Sequence, residues 1–97
     1  MRGKLSEEIS RNSLRVFEHF LASKYPKGKL IPGKNISNPF LSHLQRTPSF
    51  NVFKAKDGSY LFNDYATGDR GSVITFVMRI KNTNYQDAVK TIIDILK

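Results

Sequence analysis

Apolar side chains recur at spacings of three and four along EEISRNSLRVFEHFLASK, residues 7–24, where Ile9, Ser13, Val16, Phe17, Phe20 and Leu21 share one face of a helix. Ser6 is placed to cap that helix, and Glu7 and Glu8 suit the positive end of its dipole. The pattern then breaks. YPKGKLIPGKNISN, residues 25–38, carries two prolines and two glycines and reads as a basic loop, with a short strand expected at Leu30 and Ile31. Strand-like alternation takes over in SFNVF (49–53) and SYLFN (59–63), joined by a segment containing Asp57-Gly58, the dipeptide of a tight hairpin turn. In the first strand Phe50, Val52 and Lys54 share one face and Asn51 and Phe53 the other; across the turn, Tyr60 and Phe62 share one face and Leu61 takes the other. Both faces hold apolar groups, so one packs on helices and the other leaves an aromatic beside Lys54 and Lys56.

Two more helices follow. SVITFVMRIK, residues 72–81, reads as a buried helix capped by Ser72, although its β-branched residues also suit a strand. Asn84, with Asp87 three residues on, caps a last helix with Ala88, Val89, Ile92, Ile93 and Leu96 on its apolar side. The expected fold class is α+β: a small antiparallel sheet built around a β-hairpin, with one N-terminal and two C-terminal helices. Ninety-seven residues suffice for one modest core. A single domain over 1–97 is therefore expected, divided into an N-terminal helix and basic loop (1–35) and a hairpin-centred region (36–97).

Composition narrows the function classes. With 39% hydrophobic and 25% charged residues the chain belongs with folded proteins and not with disordered tails. Its longest apolar run falls far short of the roughly 20 residues that cross a bilayer, and MRGKLSEEIS lacks the apolar core of a signal peptide. A cytoplasmic location is the expectation. The absence of cysteine excludes both a disulfide framework and a thiolate zinc site. His19 falls in a helix and His43 stands alone in a loop, so neither a metal nor any other cofactor is expected.

Sixteen Lys and Arg against eight acids give a net charge of +8, which favours a polyanionic partner. Between Glu18 and Asp57 no acid occurs, while Lys24, Lys27, Lys29, Lys34, Arg46, Lys54 and Lys56 all fall there. These cations lie in loop and strand sequence instead of along one amphipathic helix, which argues against a membrane surface. The turn Gly68-Asp69-Arg70-Gly71-Ser72 invites comparison with a phosphate cradle at a helix N-terminus. It lacks the Lys-Ser or Lys-Thr ending of a nucleotide loop, and Asp69 would repel phosphate. Its glycines instead suit a tight turn and a close helix approach.

Asn38-Pro39-Phe40, Thr47-Pro48-Ser49-Phe50, the hairpin, the turn from Asp64 to Ser72 and the helix from Ile74 to Met78 occur in an order and spacing that resemble the CHC-type zinc-binding domain of bacterial DnaG-type primases. The likeness covers about residues 36–96. Asn38 stands where that family has its first cysteine, Asp64 and Thr67 where it has its last two, and the histidine position falls near Leu41 to His43. The sequence is thus similar to a zinc-less branch of the family, of the kind found in primase-like proteins of phages and mobile elements. In that branch side chains would have to replace the metal: Asn38 and Asp64 would each cap backbone donors of the opposite loop, with Phe40 and Tyr65 filling the space below.

The resemblance implies recognition of single-stranded template DNA by a module that normally precedes a toprim catalytic domain. Single-strand binding needs cations along the phosphates and rings on which bases stack. Arg46, Lys54, Lys56, Arg70, Arg79 and Lys81 are the phosphate candidates, and Tyr60 and Tyr65 the stacking candidates, with Phe53 in reserve. Each ring fits a core position equally well. No catalytic residue is assigned, because the acids are scattered and Asp57, Asp64, Asp69 and Asp87 suit turns and caps. The expected function is a noncatalytic single-stranded DNA-binding module of a primase-like replication protein. The alternative is an interaction module that has lost DNA binding and docks onto a toprim, helicase or mobilisation partner. A small enzyme finds no nucleophile and base to support it.

Overall fold

The computed structural model describes residues 2–97; Met1, at the head of the segment read as lacking a signal core, lies outside them. Among the described residues, four α-helices accompany a three-stranded antiparallel sheet of order β1-β2-β3. The strands are β1 (Phe50–Lys54), β2 (Tyr60–Asp64) and β3 (Arg70–Gly71), and the helices are α1 (Arg2–Arg11), α2 (Ser13–Leu21), α3 (Val73–Lys81) and α4 (Tyr85–Leu96). This is the expected α+β class. Among the described residues, no helix is long and apolar enough to cross a membrane.

The N-terminal helix differs from expectation in two ways. It begins well before Glu7, so Ser6 lies inside α1 and caps nothing, in a stretch whose Lys, Leu and Glu residues favour helix. It also breaks at Asn12, whose side-chain amide donates to Glu8 O at 2.8 Å, while Ser13 Oγ donates to Ser10 O at 2.7 Å. Such local bonds compete with the helical ladder. The same Ser13 hydroxyl accepts from Tyr60 N at 2.8 Å, so the break docks α2 onto β2. The apolar face itself is as the spacing predicts, with Ile9, Ser13, Val16, Phe17 and Leu21 buried and Phe20 packed against them.

No strand forms at Leu30 and Ile31. Leu30 is buried as a side chain, and its amide donates to the Glu18 carboxylate at 2.9 Å, which draws the backbone away from the sheet. The chain reaches β1 further on, where Gly33 N donates to Val52 O at 2.7 Å and Ile36 pairs with Phe50. The hairpin register sets Val52 against Phe62 and Phe53 against Leu61, and Gly58 takes a φ of +91° in the turn between the strands. β3 was not anticipated: it pairs Gly71 with Phe62 and Arg70 with Asn63.

Phe17, Phe50, Phe62 and Phe76 are fully buried and form the centre of the core, with Phe50 and Phe62 stacked at 5.7 Å. Ser72 accepts from Thr75 N and so caps α3 as a helix, which settles the helix-or-strand ambiguity. Asn84 caps α4 by accepting from Asp87 N, and Ala88 and Ile92 are buried beneath it. Ile93 is exposed, and Ile95 packs against the core instead.

Tyr25 is buried where α2 ends, and its hydroxyl meets no hydrogen-bond partner among the described residues. Burial pushes its pKa up to about 12. An unpaired buried hydroxyl costs roughly 1 kcal/mol or more. Tyr25→Phe removes it at nearly constant shape, and the thermal midpoint is expected to rise by a few degrees. A fall in the midpoint would show that the hydroxyl has a stabilising partner.

Candidate functional site

Two loops meet at one end of the sheet, the segment from Ser37 to Ser49 and the turn from Asp64 to Asp69. Asn38 and Asp64 are both buried there, and the Asn38 side-chain amide donates directly to Asp64 Oδ2. Asp64 Oδ1 accepts from Ser49 Oγ at 2.8 Å, Ala66 N at 2.8 Å and Thr67 N at 3.3 Å. Asn38 Oδ1 accepts from Phe40 N at 2.7 Å, and Asn38 N donates to Gln45 Oε1 at 2.7 Å. Gln45 closes the network by donating from Nε2 to Ser49 Oγ at 3.1 Å. Each side chain therefore caps its own loop, not the opposite one as expected, and the bridge between loops is carboxylate to carboxamide. Ser49 and Gln45 were missed, because nothing in their local sequence shows that the chain folds them toward a carboxylate.

Desolvation by burial raises the Asp64 pKa, but the hydrogen bonds from Ser49, Asn38 and the Ala66 and Thr67 amides outweigh it and hold the carboxyl below its ordinary value. A buried charge with every oxygen turned toward a donor is stabilising where an unpaired one would not be.

Of the two rings expected below the bridge, Phe40 packs into the core and Tyr65 does not. The Phe40 ring lies within 6 Å of the Phe50, Phe62 and Phe76 rings, whereas Tyr65 is 72% exposed and fills nothing. Over the outer side of Phe40, at 3.9 Å, sits the Arg79 guanidinium, which also pairs with Asp69. A cation on a ring face and beside a carboxylate ties α3 to both loops. Arg79 is thus engaged in structure rather than presented as a free phosphate contact, and Asp69 is its partner.

Among the described residues, no helix packs on the other face of the sheet. Phe53, Leu61 and Asn63 lie on it half-exposed with the exposed Arg70, whose guanidinium stands 5.1 Å from the Phe53 ring centre. Asn51, on the same face, is covered by the incoming loop, where its side-chain amide donates to Asn35 Oδ1 at 3.1 Å. The candidate residues consequently divide. Arg70 is on the open face, at the end away from the hairpin turn; Lys54 and Lys56 are exposed at the hairpin end, and Lys54, opposite Tyr60, alternates with Val52 towards the helix side. Tyr60 is on the helix side, half-buried against the core, since it alternates with Phe62. Arg79 and Lys81 lie on α3, in the helical layer, and Arg46 is exposed next to Gln45. Phe53, the weaker stacking candidate on sequence grounds, is the aromatic ring on the open face.

The donor set at the loop junction does not fit zinc. It offers one carboxylate with amide and hydroxyl oxygens, it has no thiol or imidazole, and its acceptor atoms are already committed to N–H and O–H donors. His43 is exposed in the loop, and among the described residues no three His, Cys, Asp or Glu side chains are grouped to hold a metal ion.

The sequence profile of the CHC2 zinc finger, the DnaG zinc ribbon, matches residues 33–97. A DNA primase of Clostridium acetobutylicum is 39% identical over 62 residues, which make up 64% of this chain and 10% of that primase. The chain therefore spans about a tenth of that relative's length. No solved structure matches.

Proposed function

Because the chain belongs to the CHC2 zinc-finger family of DnaG zinc ribbons, we propose that it is a noncatalytic nucleic-acid-binding module that takes single-stranded DNA on its open sheet face. The observation that carries this reading is the pairing of Arg70 with Phe53 on a face that no helix among the described residues covers. A ring there accepts a base, and the guanidinium beside it reaches the adjoining phosphate. Lys56 adds an exposed cation at the hairpin end, and the +8 charge supplies the long-range attraction. In this reading residues 1–97 act as one domain of a primase-like replication protein of a phage or mobile element, cytoplasmic, with catalysis left to a toprim partner. The bridge of Asn38 and Asp64 takes over the clamping of the two loops.

Fluorescence anisotropy with a labelled single-stranded DNA, competed by duplex and by RNA across a salt series, tests the proposal. Micromolar affinity that falls with salt is expected, and Phe53→Ala or Arg70→Gln should each weaken it about tenfold, the value of one stacked base or one cation. Loss of binding even at low salt would overturn the reading. The apolar groove lined by Leu5, Ile9, Ile74, Tyr85 and Val89 would then become the candidate docking surface for a protein partner.

A further inference from the structure

We infer that the lysine loop between α2 and β1 is a second phosphate-binding surface, which extends the open sheet face past β1 and lengthens the single strand it holds. This inference rests on the sheet-face reading above. Lys27, Lys29 and Lys34 are exposed, and among the described residues none of them is in an ion pair. No acid occurs from residue 19 to residue 56 to offset them. Glu18, the last acid before the loop, is turned inward onto Leu30 N. The cations are thus presented without local neutralisation, which is the condition for counterion release on binding a polyanion.

The loop is held in place rather than left to find its shape on binding. Tyr25 and Leu30 are buried under it, Ile36 exchanges two backbone bonds with Phe50 at 2.7 and 3.0 Å, and Gly33 N is fixed to Val52 O. Lys27 has a φ of +61°, a left-handed conformation that costs a side-chain-bearing residue roughly 1 kcal/mol. Gly or Asn would relieve that strain, yet a lysine occupies the position. Lys27 and Lys29 also precede the stretch matched by the family profile, so the zinc-ribbon fold does not account for them.

Placement relative to the sheet gives the path. Asn35 bonds to Asn51, which shares the open face with Phe53, so the loop continues that face beyond the edge of β1. From β3 with Arg70 across β2 and β1 to the loop is three backbone spacings, roughly 15 Å. Arg70, Asn63 and Asn51 are opposite one another across the three strands and Asn51 bonds to Asn35, so a strand that crosses the open face from Arg70 leaves the edge of β1 where Asn35 and its chain neighbour Lys34 lie, with Lys29 and Lys27 farther back along the loop towards α2.

The test compares labelled oligothymidylates of about 3 and about 15 nucleotides: at roughly 3.4 Å or more per nucleotide the long strand passes the roughly 15 Å from Arg70 to the loop, and the short one, at roughly 10 Å, falls short of it. The full chain is used, with a triple variant (Lys27→Gln, Lys29→Gln, Lys34→Gln) and, separately, Arg70→Gln. The triple variant should bind the long strand about tenfold more weakly and with a salt slope smaller by about 2, while binding the short strand within twofold of the parent. Replacing the same three lysines by arginine should preserve binding. Arg70→Gln should weaken both strands. If the triple variant binds the long strand like the parent while Arg70→Gln does not, the loop extension is refuted and the sheet site stands. Failure of the parent to bind either strand would overturn both.

Discussion

Asp64→Ala is expected to lower the thermal midpoint by roughly 15 °C or more, from a loss of about 3–4 kcal/mol at roughly 4–8 °C per kcal/mol in a domain of this size. The substitution strands four donors at once: the Asn38 carboxamide, the Ser49 hydroxyl and the amides of Ala66 and Thr67. Asn38→Ala should cost about half as much, because Asp64 keeps its other donors. Asp64→Asn alone should also be costly, since it sets one carboxamide N–H₂ against another. Combining it with Asn38→Asp reverses the pair, restores a donor facing an acceptor and keeps the net charge. That double variant should recover most of the lost stability, an outcome that a simple loss of packing would not produce. Denaturation of the four proteins by heat and by urea decides the matter, and an unchanged midpoint for Asp64→Ala would refute the bridge as a clamp.

The same carboxylate sets a pH window. Its folded pKa is held below the ordinary value of about 3.9, so its contribution is fully present above pH ~4 and is lost as pH falls through the lowered folded value. The stability difference between the parent and Asp64→Ala should therefore be constant from neutral pH down to about 4 and shrink below it.

Gly71→Ala should cost about 2 kcal/mol, for a reason unrelated to backbone freedom. A Cβ on Gly71 would lie 2.8 Å from Phe62 Cε2, 3.0 Å from Phe62 Cζ and 3.2 Å from Thr75 Cγ2. The Phe62 ring is fully buried and stacked on Phe50, so it has nowhere to move. Phe62→Leu in the same chain removes the clashing edge, and the double variant should be less destabilised than the two single costs combined. Gly68→Ala provides the contrast: its φ of +78° strains any side chain, but the added methyl meets open space. Strict additivity of Gly71→Ala and Phe62→Leu would refute the close approach.

Much of this molecule is legible without coordinates. The apolar face of α2, the hairpin around Gly58, the caps at Ser72 and Asn84 and the missing thiols all follow from residues within one or two turns of each other, where covalent geometry and local hydrogen bonding decide. The zinc-ribbon likeness is legible for the same reason, since it resides in short motifs and their order.

What only the tertiary structure decided are partnerships between distant residues. Asn38 and Asp64 are 26 residues apart, and that they bond directly and recruit Gln45 and Ser49 depends on the path of both loops. Arg79 carries the same charge as Arg70 in the sequence, yet packing places one over Phe40 against Asp69 and leaves the other over Phe53 on an open face. Tyr60 and Tyr65 looked alike as stacking candidates, but strand alternation turns the first toward the core and the turn after β2 leaves the second in solvent. Periodicity and capping are local energies and are written locally. Which side of the sheet is covered, and which arginine has a carboxylate partner, is settled by where the whole chain buries its apolar surface.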